Sequence, residues 1–364
     1  MNTTRKRVFI FFPSNGKIGG AERRITRSMD IIANQTPNIE FLIGLLHIES
    51  FDESKVLEDY KEFTQLPFMF FSSKWKLFKF VQKSSFDCVI YTDCSYRCLP
   101  VLAGAFVSKK KRIMICANTL GSSQNLSWIK QQLYNIDIKF SDRIDCLYPY
   151  GTQLLKRIFK NKRITCTPCS FTDLNKFKPN PVKEKKIVFL GRIINIKGAD
   201  LFVQSAISVC DELRKNGYKC EIYGFGDLEN NLKDLVKKNR CNDVIIFNGH
   251  IEDSAEVLST SIAFCSLQTY GNYPSQSLLE ALACGNYCIV TDTYDSELLV
   301  PDDCGTLVEQ DTESIAKAMS ALINTPIESI NTSANTAREF IMQNHTAERS
   351  AEYYKELLNE VLNM

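Results

Sequence analysis

Long apolar runs are missing from this 364-residue chain. The longest, Cys98–Val107 (CLPVLAGAFV), is too short to cross a bilayer as a helix, so no membrane span is expected. The basic start, Met1–Arg7, leads into a short VFIFF stretch that reads as a strand, and no secretory leader is recognisable. The loop after that strand lacks GxGxxG, which excludes the dinucleotide fingerprint. Cysteines number 14, but they are scattered, as at Cys220, Cys265, Cys284 and Cys288. That scatter suits small buried residues of a reducing, cytoplasmic compartment and not a disulfide framework. Cys166-Thr-Pro-Cys169 has no second pair and no thioredoxin-like setting, so neither metal nor redox chemistry is expected there.

Charge is nearly balanced overall, at +2, yet unevenly shared. Residues 1–180 carry 28 Lys and Arg against 15 Asp and Glu, while residues 181–364 carry 16 against 27. The resulting +13 and −11 argue for two domains with different partners, the first drawn to an anionic ligand or surface. Pro, Asn and Lys cluster in Asn175–Lys186, so the boundary is placed at Pro179, giving domains 1–179 and 180–335 and terminal helices over 336–364 that pack back toward the first domain.

Apolar periodicity predicts a β/α alternation in both halves. Arg7–Phe12 reads as a buried strand, followed by a glycine-containing loop and a helix from Gly20. Phe41–Leu46, Leu66–Phe71, Phe86–Tyr91, Ile113–Ala117, Arg143–Leu147 and Arg163–Thr167 read as further strands. Lys74–Ser84 (KWKLFKFVQKS) is basic and aromatic; it suits an interfacial membrane helix or a helix covering the sheet, and Lys109–Arg112 adds to the same positive character. In the second half, strands are expected at Ile187–Leu190, Lys219–Tyr223, Val244–Phe247, Ile262–Ser266 and Tyr287–Thr291. Helices are expected at Ala199–Lys215, Glu229–Lys238, Ser254–Thr260, Ser275–Ala283 and Thr312–Ile323, with one or two more over Thr336–Leu362. The fold class expected is α/β, with two doubly wound parallel-sheet domains.

The stretch Tyr270–Gly285 (YGNYPSQSLLEALACG) concentrates the functional signals. Pro274 suits a helix start, Ser275 and Ser277 suit an N-cap, and Leu278, Leu279, Ala281 and Leu282 form an apolar face. Gly285 is placed to end the helix in a left-handed turn. The N-terminus of such a helix can bind an anion such as phosphate, with Glu280 close by. Other polar groups follow strands: Gly191-Arg192, Lys197-Gly198, Gly224-Phe225-Gly226-Asp227 and Gly249-His250. In an open α/β sheet these converge on one crevice. Two cations and a helix N-terminus suit a diphosphate, and a carboxylate suits ribose hydroxyls.

In order, the motifs GGAER (Gly19–Arg23), NKFKP, GR-x4-KG (Gly191–Gly198), IYGFGD, FNGH and SQSLLEALACG resemble those of the family-4 retaining glycosyltransferases of the GT-B fold, over nearly the full chain. The resemblance implies two Rossmann-like domains facing across a cleft, a nucleotide-sugar donor in the second and an acceptor in the first. It implies that Arg192 and Lys197 bind the donor diphosphate and stabilise the leaving group. Glu280 then binds the ribose, Ser277 and Leu278 offer backbone N–H groups to phosphate, and His250 and Ile251 lie at the base. Gly224 and Gly226 let the backbone come close, while Gly19 and Gly20 approach from the first domain. No cofactor and no metal are implied, and no Asp-x-Asp motif is present. The basic first half suggests a saccharide or lipid-linked acceptor and peripheral contact with an anionic membrane on its cytoplasmic face, with no nucleic-acid partner.

The sequence departs from the family pattern twice. Where a first acid is usual, eight before Glu280, stands Asn272, which can still hydrogen-bond a sugar hydroxyl. Where many members carry a histidine after a first-domain strand stands Cys116-Ala117-Asn118-Thr119. His47 reads as a strand-end residue, and His345 as helix surface. A nucleotide-sugar-binding subunit that supports a partner enzyme therefore stays open as an alternative, as does another GT-B enzyme such as an epimerase or phosphorylase.

Overall fold

The computed structural model describes the chain outside residues 1–4, 14–19, 47–51, 62–63, 93–96, 117–127, 169, 272, 274, 301–303 and 364, and outside the side chains of 130 and 131. In chain order it runs β1 (Lys6–Phe12), α1 (Gly20–Gln35), β2 (Ile39–Leu46), α2 (Glu53–Lys61), β3 (Phe68–Phe71), α3 (Lys74–Lys83), β4 (Cys88–Thr92), α4 (Leu99–Val107), β5 (Lys111–Cys116), α5 (Trp128–Phe140), β6 (Arg143–Cys146), α6 (Pro149–Ile158) and β7 (Ile164–Cys166). It continues with β8 (Glu184–Leu190), α7 (Ala199–Ser208), α8 (Cys210–Asn216), β9 (Lys219–Tyr223), α9 (Glu229–Lys238), β10 (Ile245–Gly249), α10 (Ser254–Thr260), β11 (Ser261–Ser266), α11 (Gln276–Ala283), β12 (Tyr287–Thr291), β13 (Gly305–Val308), α12 (Thr312–Ile323), α13 (Ile327–Asn344) and α14 (Ala347–Leu362).

The chain divides into two compact units, Met1–Ser170 with Ala347–Met364, and Phe171–Thr346. The first holds a seven-stranded parallel sheet in the order β3-β2-β1-β4-β5-β6-β7. Val8–Phe12 of the central β1 are all buried, as an apolar strand covered on both faces requires. α3 packs on α4 at Gly104, where an added Cβ would stand 2.9 Å from the Phe78 carbonyl. On α14, Ser350 meets Ser28 of α1 at 2.9 Å, Tyr353 donates to Asp145 of β6, and Glu360 pairs with Arg143 at 2.9 Å.

The second unit holds a six-stranded parallel sheet in the order β10-β9-β8-β11-β12-β13. Both sheets reverse their strand order once, at β1/β4 and at β8/β11, which makes each doubly wound. The helix expected over Ala199–Lys215 is two helices, broken at Val209.

The division falls at Ser170, ahead of Pro179, because residues 171–180 are bonded into the second unit. Thr172 N–H donates to the His345 carbonyl at 3.0 Å and Asn180 N–H to the Ser259 carbonyl at 3.0 Å. Lys176 pairs with Asp253 at 3.2 Å. The terminal helices separate, α13 in the second unit and α14 in the first. His345 is not on a helix surface: it follows α13, is 3% exposed and meets the Phe340 ring at 5.4 Å. His47 lies outside the described residues.

Candidate functional site

The second unit reverses strand order between β8 and β11, and in open α/β sheets ligands bind beyond the C-terminal ends of the strands at such a reversal. Gly191-Arg192 leaves β8, and Lys197 sits on the short 3-10 turn Asn195–Lys197 just beyond. Lys197 Nζ donates to Gln268 Oε1 at 2.6 Å, in the loop that leaves β11. The same loop is tied down by Thr269 N–H to the Ile196 carbonyl at 3.2 Å and by Thr291 Oγ1 to the Gln268 carbonyl at 2.7 Å. The sequence-predicted cation is therefore held across the switch point.

Burial lowers the Lys197 pKa from its ordinary value, and the positive charge of Arg192 lowers it further. Arg192 itself is exposed. Two cations close enough to repel, one partly buried, would both gain from an anion between them.

Two of the glycines also let one loop lie directly against another. At Gly224 an added Cβ would meet the Gly191 carbonyl oxygen at 1.9 Å, and at Gly226 the Ile193 carbonyl oxygen at 2.3 Å. Their bareness lets the loop after β9 press against the loop after β8. Gly191 N–H donates to the Tyr223 carbonyl at 3.0 Å and Ile193 N–H to the Phe225 carbonyl at 2.9 Å. The close approach is to this chain's own backbone, and it fixes the loop that carries Arg192.

α11 begins at Gln276 with Ser275 as its N-cap; the Ser275 side chain makes no capping bond. Ser277, also expected as a cap, lies inside the helix. The first N–H groups of any helix, here of Gln276, Ser277 and Leu278, have no partner within it. Leu278, Leu279, Ala281 and Leu282 are buried, which fixes the helix against the sheet. Gly285 adopts φ +69 and donates to the Leu282 carbonyl at 2.9 Å, while Asn286 N–H reaches the Ala281 carbonyl at 3.0 Å, closing a left-handed C-terminal turn. Glu280 is half-buried and accepts from Gln276 Nε2 at 3.1 Å.

His250, just past β10, is exposed, and its ring meets that of Phe225 edge-on at 5.7 Å. Phe225 is 61% exposed. Two exposed rings at the ends of neighbouring strands offer a surface for a flat aromatic ligand. Ile251 beside them is half-buried. Sequence reasoning passed over Phe225, although its position between two site glycines was a signal. It also missed Gln268 and Gln276, for which nothing in the local sequence stands out.

In the first unit, Gly20 opens α1 at the C-terminal end of β1, with open space where a Cβ would point. Gly19 and Asn272 lie outside the described residues, as do Ala117, Asn118 and Thr119. Cys116 ends β5, and its Sγ lies 3.4 Å from the Tyr134 hydroxyl. Among the described residues, no group of three or more His, Cys, Asp or Glu is placed to hold a metal ion.

Residues 184–325 match the family model described as glycosyl transferases group 1. A Campylobacter jejuni protein named GalNAc-alpha-(1->4)-GalNAc-alpha-(1->3)-diNAcBac-PP-undecaprenol alpha-1,4-N-acetyl-D-galactosaminyltransferase is 24% identical over 213 residues. That match covers 56% of this chain and 58% of the relative, so the chain spans less than two thirds of that relative's length. An uncharacterized glycosyltransferase of Haemophilus influenzae is 23% identical over 88% of this chain and 91% of its own. Among solved structures, Anabaena HepE in complex with UDP superposes with a TM-score of 0.78 at 15% identity, covering 97% of this chain and 100% of that one. Sucrose-phosphate synthase of Thermosynechococcus elongatus gives 0.71 at 14% identity, covering 99% and 100%. At these identities the likeness shows the fold, two parallel-sheet α/β domains of GT-B type.

Proposed function

We propose that this chain, whose residues 184–325 match the glycosyl transferases group 1 model and whose fold is of GT-B type, is a glycosyltransferase related to bacterial glycan-building enzymes, and that it moves a hexose-type sugar from a nucleoside-diphosphate sugar to a saccharide or lipid-linked saccharide. The observation that carries this reading is the Arg192–Lys197 pair at the switch point, with Lys197 anchored to Gln268 at 2.6 Å. A diphosphate leaving group gains negative charge as the glycosidic bond breaks. Arg192 and Lys197 stabilise that charge, and the N–H groups of Ser277 and Leu278 at the start of α11 add to it. Glu280 accepts from the ribose hydroxyls. The base lies by Phe225, His250 and Ile251. The anomeric configuration is retained, and no metal or cofactor is used.

The acceptor is saccharide or lipid-linked. The relative from Campylobacter carries PP-undecaprenol in its name, and the first half of this chain is strongly basic. Peripheral contact with an anionic membrane follows from that pairing.

The test is a thermal-shift panel of nucleotide sugars. A ligand at 100 times its dissociation constant adds ~2.7 kcal/mol of apparent stability. Lys197→Ala is expected to remove the shift while keeping the unliganded melting temperature near that of the wild type. A full shift in Lys197→Ala would place the phosphate elsewhere. Tight donor binding without transfer or slow donor hydrolysis would instead favour a nucleotide-sugar-binding subunit.

A further inference from the structure

One side chain joins Glu280 to the point where the chain enters the second unit. Gln276 Nε2 donates to Glu280 Oε1 at 3.1 Å and to the Phe171 carbonyl at 3.2 Å. Both partners are acceptors, so both amide protons are committed, and the orientation of the amide is set by the two of them. Gln276 and Glu280 stand four apart on α11, which places them on one face of the helix. Phe171 is the first residue of the second unit. Its neighbour Thr172 donates to the His345 carbonyl at 3.0 Å, one residue before the chain leaves that unit again after Thr346. A hydrogen-bonded path therefore runs from the Glu280 carboxylate through Gln276 to both crossings of the chain.

We propose that Gln276 is a positioning residue: it aims Glu280 at the ribose, and it ties occupancy of that carboxylate to the backbone at both crossings, residues 171–172 and 345–346. This rests on the reading of Glu280 as the ribose acceptor. A free glutamate side chain samples several rotamers, each of which must be given up on binding. The donated bond from Gln276 removes part of that freedom beforehand, as pre-organisation requires. When a ribose diol bonds to the carboxylate, Glu280 is restrained further. The Gln276 amide links it to the carbonyl of Phe171.

The experiment combines nucleotide titration with hydrogen exchange, using UDP, GDP and ADP on the full chain. In the wild type, the nucleotide that binds is expected to slow exchange at α11 and also at residues 171–177 and 344–347. In Gln276→Ala, affinity falls about 5- to 10-fold, the loss expected for one hydrogen bond of ordinary net strength. At saturation, protection at α11 remains while protection at the two crossings is lost. Gln276→Met keeps the length of the side chain without a donor, and gives the same decoupling should the alanine variant fold poorly. A merely structural role would lower the melting temperature of the unliganded protein and leave the nucleotide-dependent protection pattern intact; that outcome overturns the proposal. If none of the three nucleotides protects α11 in the wild type, the donor-site reading fails, and this proposal with it.

Discussion

Asp137 of α5 is fully buried, and neither carboxylate oxygen has a hydrogen-bond partner among the described residues. Burial pushes its pKa up to about 7. Asp145 of β6 is equally buried but accepts from Thr167 at 2.5 Å, from Thr165 at 3.2 Å and from Tyr353. Those bonds oppose the upward push of burial there. For Asp137 nothing opposes it, so the folded state holds a proton that the unfolded chain releases near pH 4. The sign follows: stability is fully present below about pH 4, is lost as the pH rises toward 7, and the loss is complete above that. Asp137→Asn keeps the shape without the ionisation. It is expected to match the wild type near pH ~3.5 and to exceed it at pH ~8 by ~1–4 kcal/mol in urea unfolding. Equal pH profiles for the two proteins would refute this. Such a residue is invisible in the sequence, because an acid in IDIKF looks like a solvent-facing helix position. Lys197 was legible, through its spacing from Gly191-Arg192. Its partner Gln268, 71 positions away, was not.

At the scale of elements, α11 has eight residues and is closed at one end far more thoroughly than at the other. Its last carbonyls all receive donors. Gly285 and Asn286 cap two, Arg338 Nη1 reaches the Ala283 carbonyl at 2.6 Å, and Lys183 Nζ reaches the Cys284 carbonyl at 2.6 Å. Burial lowers the Lys183 pKa to about 8, so this ammonium sits in the site at a cost that the helix C-terminus offsets. Arg338 also holds the Phe177 carbonyl at 2.9 Å. Arg338→Ala is expected to cost ~2–3 kcal/mol, since two partly buried carbonyls lose charged donors, with Arg338→Lys recovering part of it. A loss below about 0.5 kcal/mol would show that water replaces the guanidinium freely. The helix itself was legible from its apolar face and from Gly285. Its clamps were not, because Lys183 and Arg338 lie far away in sequence. The strands of both sheets were read to within a few residues, apart from β13. α4 escaped because it is apolar all round, between α3 and α5, and so shows no amphipathic period.

For the whole molecule, the uneven charge seen in the sequence acquires a location. α3, α4 and α5 form one layer of the first unit. Trp75 stacks on Phe78 at 5.3 Å, and Lys79 lies 4.9 Å over the Trp75 ring. The Phe78 backbone lies against Gly104, and Phe106, two residues on, meets Phe140 edge-on at 5.2 Å. Over residues 69–140 there are 11 Lys and Arg against 3 Asp and Glu, a balance of +8. The sequence left α3 open between a membrane-facing and a sheet-covering role. Leu77 and Val81 are buried while Trp75 is 62% exposed, so the helix covers the sheet with one face and presents an aromatic, cationic face outward. Exposed aromatic rings among lysines are the chemistry that partitions into an anionic lipid interface. The chain has only two tryptophans, Trp75 and Trp128, and both are exposed, Trp128 by 75%. Trp128→Phe therefore leaves Trp75 as a single reporter. Its fluorescence is expected to shift to the blue on mixing with phosphatidylglycerol-rich vesicles at ~50 mM salt, and to return on raising the salt to ~0.5 M, where the screening length is only a few ångströms. Vesicles of phosphatidylcholine alone should give no shift. Replacing Lys76 and Lys79 by Glu should abolish the shift while leaving the nucleotide response of the second unit as it was. A shift that ignores salt, or none at all, would return α3 to a purely structural role and leave the donor site untouched.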